Sequence, residues 1–294
     1  MSRWMKIILP IFVIALVLML IVLFTPVGET REEIALTGDV EHGTKLLQVA
    51  GCYACHTDTQ RNDAELFAGG VKFETPFGDF YSPNITASKQ YGLGDWTLPQ
   101  FEAAVRQGRS PQGKPYYPAF PFSSYRGLTD QDVADLFVAL QQTAPVETKS
   151  HSHKLNFPYN IRSGLKPWRW LFATTRRMSI DQSTLKGRGR YLVDVVAHCG
   201  ECHNPRNSLG AFIPPYLGGN DQIPGGDWAP AIHGEALSQH EWTQDDLYYF
   251  LADGLKPDGD YAGGSMVEVI DYSTSQMSDE DREAIAAYLF SLRR

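Results

Sequence analysis

The chain has 294 residues, of which 43% are hydrophobic and 20% charged, with a formal net charge of −8. That length allows two domains with separate cores. The acidic balance argues against nucleic acid as a partner and suits docking to a basic protein.

Residues Ile7 to Phe24 form an unbroken apolar run. Extended to Val27 as a helix, it reaches about 31 Å, close to the hydrocarbon thickness of a bilayer. Arg3 and Lys6 precede the run, and Glu29, Arg31, Glu32 and Glu33 follow it. The positive-inside rule then leaves the short tip in the cytoplasm and everything after Thr30 outside. A cleaved signal peptide is the competing reading, but no small-x-small cleavage site follows the run. Residues 1–30 are therefore expected to be a transmembrane anchor. With no second long apolar stretch, the expected placement is single-pass in a bacterial inner membrane, body facing the periplasm.

A predicted helix over Val40 to Val49 leads into Cys52-Tyr53-Ala54-Cys55-His56, and a second over Gly187 to Val196 leads into Cys199-Gly200-Glu201-Cys202-His203. These two C-x-x-C-H pentapeptides use all four cysteines of the chain. Two thiols three positions apart can add to the two vinyl groups of one porphyrin, and the next histidine can reach its iron. A lone C-x-x-C also occurs in redox dithiols and as half of a zinc site. Zinc would need the two pairs folded together, and a redox pair would not need the histidine twice. The expectation is two covalently bound c-type haems, on Cys52, Cys55 and His56 and on Cys199, Cys202 and His203.

The sequence after each motif repeats. Tyr81-Ser82-Pro83 matches Trp228-Ala229-Pro230, Asp95-Trp96-Thr97 matches Glu241-Trp242-Thr243, and Thr129-Asp130-Gln131-Asp132 matches Ser278-Asp279-Glu280-Asp281. Thr129 and Ser278 are expected helix N-caps, each with Asp three residues on as a capping-box variant. Behind them Val133, Leu136, Phe137 and Leu140 share one helical face, as do Ile285, Tyr288, Leu289 and Leu292. The first and last helices of each unit are expected to pack with the porphyrin between them. The expected fold class is all-α, with two domains, over 36–146 and 186–294, behind the N-terminal transmembrane helix. The linker, 147–185, is aromatic and basic; from Lys149 to Arg190 stand ten basic residues and one acid, Asp181. It is expected to pack against a domain or a membrane surface, its cations free for solvent, haem propionates or anionic headgroups.

Several segments resemble the cytochrome c subunits of bacterial membrane-bound alcohol and aldehyde dehydrogenases, in a dihaem variant. They are Gly69-Gly70-Val71, the run from Thr75 to Thr86, Gly92 to Trp96, Tyr117 to Pro121, Leu155 to Arg162, His198 to Asn207 and Met266 to Ile270. The resemblance covers Leu36 to the C-terminus. It implies two cytochrome c-like domains, over 36–146 and 186–294, and electron transfer beside a dehydrogenase. Those subunits often carry three haems, whereas this chain has two attachment motifs.

On the far side of the iron the usual donor is a methionine thioether. Met266 holds the family position in the second half; its rival Met277 precedes a helix cap and suits packing. In the first half the equivalent residue is Phe120, which cannot donate, and no methionine lies between Met19 and Met178. Lys114, Tyr116, Tyr117, His151 and His153 are possible substitutes. Among other polar residues, Arg206 could neutralise a propionate, and His198 suits packing or propionate contact. His42, His233 and His240 suit surface or capping roles. The expected function is electron transfer from a periplasmic dehydrogenase towards a cytochrome or terminal oxidase. The alternative is an enzyme whose open first haem acts on peroxide or a sulfur oxyanion.

Overall fold

A computed structural model describes residues 3–31, 33–61, 63–173 and 176–293. Glu32 and the side chains of Arg3 and Lys6, which enter the orientation reading, lie outside what is described. The elements in order are α1 (Arg3–Phe24), α2 (Val40–Val49), α3 (Cys52–His56), β1 (Lys72–Thr75), β2 (Gly78–Tyr81), α4 (Leu98–Gln107), α5 (Phe122–Tyr125), α6 (Asp130–Gln141) and β3 (Lys154–Leu155). There follow α7 (Leu165–Phe172), α8 (Leu185–Tyr191), a π turn over Leu192–Val196, α9 (Gly200–His203), α10 (Gly234–Gln239), α11 (Gln244–Asp253), α12 (Met266–Tyr272) and α13 (Asp279–Ser291).

Helix α1 is long and apolar enough to cross a membrane; over Ile7–Phe24 its mean hydropathy is 3.4 and none of it is buried against the rest of the chain. It ends where Pro26 would next remove an N–H from the helix. The chain then docks on α4. Val27 is buried, the Glu29 amide donates to Gln107 Oε1 at 2.7 Å, and Arg31 pairs with Glu102 at 2.8 Å.

The central packing is built twice: α2 crosses α6, and α8 crosses α13. A glycine sits at each crossing. A Cβ on Gly43 would stand 2.0 Å from the Asp135 carbonyl oxygen, and one on Gly189 would stand 1.9 Å from that of Ala284. At that separation backbone meets backbone, so no porphyrin fits between the paired helices. The expectation of a haem sandwiched there is corrected; the C-x-x-C-H turns instead follow α2 and the π turn as separate short elements. The predicted stripes are core, with Val133, Leu136, Leu140, Ile285, Tyr288 and Leu289 buried.

Thr129 and Ser278 cap as expected, accepting from the Asp132 and Asp281 amides. The return arm of the capping box is made at neither. The Thr129 amide donates to the Tyr191 hydroxyl, and Asp281 instead holds Arg188 at 2.7 Å. The all-α expectation holds for the bulk of the chain, with one addition. β1, β2 and β3 form a small antiparallel sheet in that order, and β3 comes from the linker, so this part of the linker is fastened to the first half.

One continuous core spans both halves, from Leu46 to Leu289. Polar contacts join the halves: Tyr191 hydrogen-bonds Asp132, and Ser273 Oγ donates to the Val49 carbonyl at 2.9 Å. At the surface Trp168 Nε1, from the linker, donates to the Leu209 carbonyl at 2.9 Å. Asp132, Asp135 and His42 lie within 4.8 Å of one another. Their contacts are structural. The Asp135 carboxylate accepts from the Asp39 amide at 2.6 Å, Gln131 at 2.7 Å and His42 Nδ1 at 2.7 Å, while Asp132 is held by Thr129 and Tyr191. Burial pushes the Asp135 carboxyl upward, but the Asp39, Gln131 and His42 hydrogen bonds outweigh it and hold it below the ordinary carboxylate value.

Two predictions follow from this packing. Gly43→Ala lowers stability by about 1–3 kcal/mol through overpacking, whereas Gly164→Ala, with nothing within 4 Å, changes it by less than about 1 kcal/mol. Denaturant titration of the two variants checks it. A carboxyl with a depressed folded-state pKa contributes stability above its unfolded value of about 4, and loses it as pH falls through the folded value. Asp135→Asn is therefore expected to cost about 2 kcal/mol at pH 7, and its deficit against the native chain should shrink as the titration is repeated towards acid pH.

Candidate haem-binding sites

Each motif is delivered by the same local device. In the first half α2 ends at Val49, and Gly51 turns the chain with φ +71° into α3. In the second, the π turn ends at Val196, and His198 occupies the equivalent place with φ +40° before α9. Left-handed backbone suits glycine and strains other residues. His198 is held there by donating Nδ1–H to the Val196 carbonyl at 2.9 Å and by stacking edge-on against Tyr125, 5.2 Å away. It therefore serves packing, the first of its two expected roles. The His198 ring also faces Gly51, where a Cβ would come within 3.3 Å of it. The two turns thus lie back to back across the core.

No disulfide joins any of the four thiols. Burial pushes Cys52 and Cys199 up to about 12, and Cys55 and Cys202 up to about 11. A catalytic redox dithiol needs the opposite, a thiol pKa lowered by positive surroundings. Cys202 is close enough to Cys55 to raise it further, so the two motifs are electrostatic neighbours.

Both histidines are fixed by the same hydrogen bond. His56 Nδ1 donates to the Pro83 carbonyl at 2.8 Å, and His203 Nδ1 donates to the Pro230 carbonyl at 2.7 Å, each acceptor 27 residues downstream. A proton placed on Nδ1 leaves the Nε2 lone pair free for a metal. Burial lowers the pKa of both rings, which keeps them neutral and able to ligate. Pro83 and Pro230 belong to the repeated segments but carried no assigned role in the sequence, because a backbone carbonyl has no residue signature. Their equal spacing from the two histidines is the signal that marks them.

Met266 opens α12 and is half-buried against the core. Asp227 accepts from the Ser265 amide at 3.0 Å and from the Trp228 amide at 2.9 Å. It therefore ties the methionine loop to the segment whose Pro230 carbonyl holds His203. Met277 is 5% exposed, and its carbonyl accepts from Arg282 at 2.6 Å, which suits packing. Phe120 stands between two rings, Tyr125 at 5.7 Å and Tyr116 at 6.0 Å.

The possible substitutes for Phe120 have different surroundings. Lys114 and His151 are exposed, the latter against the Tyr81 ring. Burial pushes Tyr116 up to about 12, so it stays a neutral phenol. Tyr117 donates to the Tyr159 carbonyl at 2.9 Å. His153 Nδ1 accepts the Tyr81 amide at 3.2 Å, which puts its own proton on Nε2 and occupies both nitrogens. Arg206 pairs with Glu201 at 2.7 Å and stacks on Phe212, so it is already engaged. His233 caps α10, accepting the Ala236 amide at 3.3 Å, and His240 is exposed at the other end of that helix.

The donor set fits a haem at each place: two half-buried thiols on one face of a helical turn, and a neutral imidazole with its outer nitrogen free. That constellation, made twice, defines a c-type cytochrome. No family model matches the chain. Curated relatives do. It is 39% identical to a "Diheme cytochrome c-type" protein of Cereibacter sphaeroides over 258 residues, 86% of each chain. It is 39% identical to the "Fructose dehydrogenase cytochrome subunit" of Gluconobacter japonicus over 260 residues, 86% of this chain and 52% of the relative. It is 32% identical to the "Alcohol dehydrogenase (quinone), cytochrome c subunit" of Gluconobacter oxydans over 265 residues, 86% and 54%. The chain thus spans about half the length of these two dehydrogenase subunits. It belongs to the family of dihaem c-type cytochromes and cytochrome subunits of quinone alcohol dehydrogenases and related dehydrogenases, and its cofactors are two c-type haems.

Replacing Cys199 and Cys202 by alanine is expected to lower the intact mass by one haem and halve the covalent haem absorbance, with the other site still loaded. Mass spectrometry of the purified chain reads the result, and two haems retained would contradict it.

Proposed function

We propose that the protein is a membrane-anchored dihaem electron carrier. It takes electrons from a periplasmic dehydrogenase and passes them towards a cytochrome or terminal oxidase. The observation that carries this reading is the doubled His–Pro hydrogen bond: two neighbouring sites, each with an imidazole pre-set for iron. The dehydrogenase donor rests on the names of the relatives, several of which are cytochrome subunits of dehydrogenases. The anchor rests on α1, and a periplasmic body follows from it and from the cellular side on which haem is attached.

In this reading the chain comprises two cytochrome c-like units, 36–146 and 186–294, joined by 147–185. Cys52 and Cys55 would hold the first haem by thioethers, with His56 as a donor to its iron. Cys199 and Cys202 would hold the second, with His203 and Met266 as donors to its iron. Bound haem supplies reversible one-electron chemistry at iron. The chain sets the rest. The Pro83 and Pro230 carbonyls orient the imidazoles and raise their basicity. Asp227 fixes the loop that presents the Met266 sulfur, a soft donor that favours ferrous iron. Phe120 closes the first site with an apolar ring and no donor.

An enzymatic first haem is the second reading, and the lack of a donor at Phe120 is what favours it. Acid–base chemistry on peroxide or a sulfur oxyanion needs a free proton donor beside the iron. Glu201 and Arg206 line the crevice next to Phe120, but each neutralises the other. Electron transfer is therefore the preferred function.

Met266→Leu is expected to abolish the far-red sulfur-to-iron charge-transfer band and lower the potential of one haem. Phe120→Met is expected to add a second such band and raise the potential of the other. In the native reduced protein, carbon monoxide should bind one haem of the two. Absorption and EPR spectroscopy decide: two methionine signatures in the native protein, or none, would overturn the ligand assignment. Steady turnover of peroxide or thiosulfate would favour the enzyme.

A further inference from the structure

Helix α7 is fastened to the point where α1 ends. Lys166 Nζ donates to the Leu23 carbonyl and to the Thr25 carbonyl, both at 2.9 Å. Those are carbonyls left without helical partners at the C-terminus of α1, where a cation is favourable. Three residues on, the buried Arg169 donates to the Gln107 and Gly108 carbonyls at the end of α4 and lies over the Phe122 ring at 4.4 Å. Gln107 is also the residue that receives the Glu29 amide. The exit of α1, the end of α4 and α7 are thus clamped at one place.

Helix α7 buries Arg169 and half-buries Leu165, Lys166, Pro167 and Trp168. Its outward residues are apolar: Trp170 is 52% exposed, Leu171 75% and Phe172 42%. They start one helical turn, about 6 Å of rise, beyond Lys166. Phe157 and Ile161, on the approach to α7, are exposed as well. No acidic residue lies between Lys149 and Ile180, and the exposed Arg176 and Arg177 follow the helix. A tryptophan beside apolar residues, rimmed by cations and held level with the end of a membrane-length helix, matches the boundary between headgroups and acyl chains.

We propose that α7 is an interfacial helix, seating Trp170, Leu171 and Phe172 in the outer leaflet next to the exit of α1. The body then touches the bilayer at a second place and cannot swivel freely about the anchor, so both haem sites are held at a fixed height and tilt above the lipid. This rests on the reading of α1 as a membrane span.

The test uses the full holoprotein in nanodiscs of phosphatidylcholine and phosphatidylglycerol. Its own cysteines are consumed by the haems, so a single introduced thiol can be followed. Leu171→Cys, Phe157→Cys, Tyr249→Cys and Ile14→Cys are each treated with a charged, membrane-impermeant maleimide, and labelling is followed by mass. Tyr249 is an exposed residue of α11 in the second half and serves as the aqueous reference. The expected result is labelling of Leu171→Cys and Phe157→Cys slower than Tyr249→Cys by about tenfold or more, and none at Ile14→Cys. Rapid labelling at 171 with 14 protected overturns the interfacial helix and leaves the anchor standing. Rapid labelling at 14 removes the anchor, and this proposal with it. Protection at 171 that appears only on adding a dehydrogenase, or only at raised protein concentration, assigns the surface to a protein contact and overturns the proposal.

Discussion

Everything at the two sites depends on where one proton sits on each imidazole. A neutral histidine has one donor and one acceptor nitrogen, and which is which is set by the partner of the first. The Pro83 and Pro230 carbonyls take the Nδ1 protons, so both rings offer Nε2. Without that bond the ring would be free to rotate and to take the other tautomer. The placing of a carbonyl 27 residues downstream is in turn a demand on the fold. The His56 and His203 carbonyls accept the Gly69 and Gly219 amides at 2.8 and 2.9 Å, which pins the returning chain close to each motif.

The halves keep this device and differ elsewhere. In the second, Asp227 links the loop before Met266 to the strand-like segment that ends at Pro230. A single carboxylate thus couples the support of the proximal histidine to the support of the methionine. The matching stretch of the first half holds Phe80, packed between Tyr117 and His153. There the space is filled by rings, and the residue matching Met266 is Phe120, itself between rings. Under the proposed ligand assignment, one half presents a donor and the other does not. The two sites would then differ in potential, because a thioether donor favours ferrous iron.

The motifs, the helices that lead into them, the capping residues and the apolar stripes were legible in the sequence because each is a local pattern with a local cause. What escaped it is what joins distant segments. Gly43 and Gly189 permit the direct crossing of α2 on α6 and α8 on α13, and a glycine within a helix carries no sign in the sequence of what it packs against. That crossing is why the haem cannot lie between those helices. The sheet formed by β1, β2 and β3 was hidden because a two-residue strand carries no periodicity. The carbonyls of Pro83 and Pro230 were hidden because main-chain acceptors are the same at every residue.

The linker shows how composition can mislead when it is read as a whole. Its run of cations looked like one basic surface. In the fold the cations have separate tasks: Arg162 reaches the Pro115 carbonyl, Lys166 the end of α1, Arg169 the end of α4 and Arg177 the Asp130 carboxylate. Once those are assigned, what remains outermost on α7 is apolar, and an apolar surface costs free energy in water unless something covers it. The linker therefore does more than connect two halves. It ties the first half to α1 through hydrogen bonds and leaves its aromatic side facing outward at the level where α1 ends.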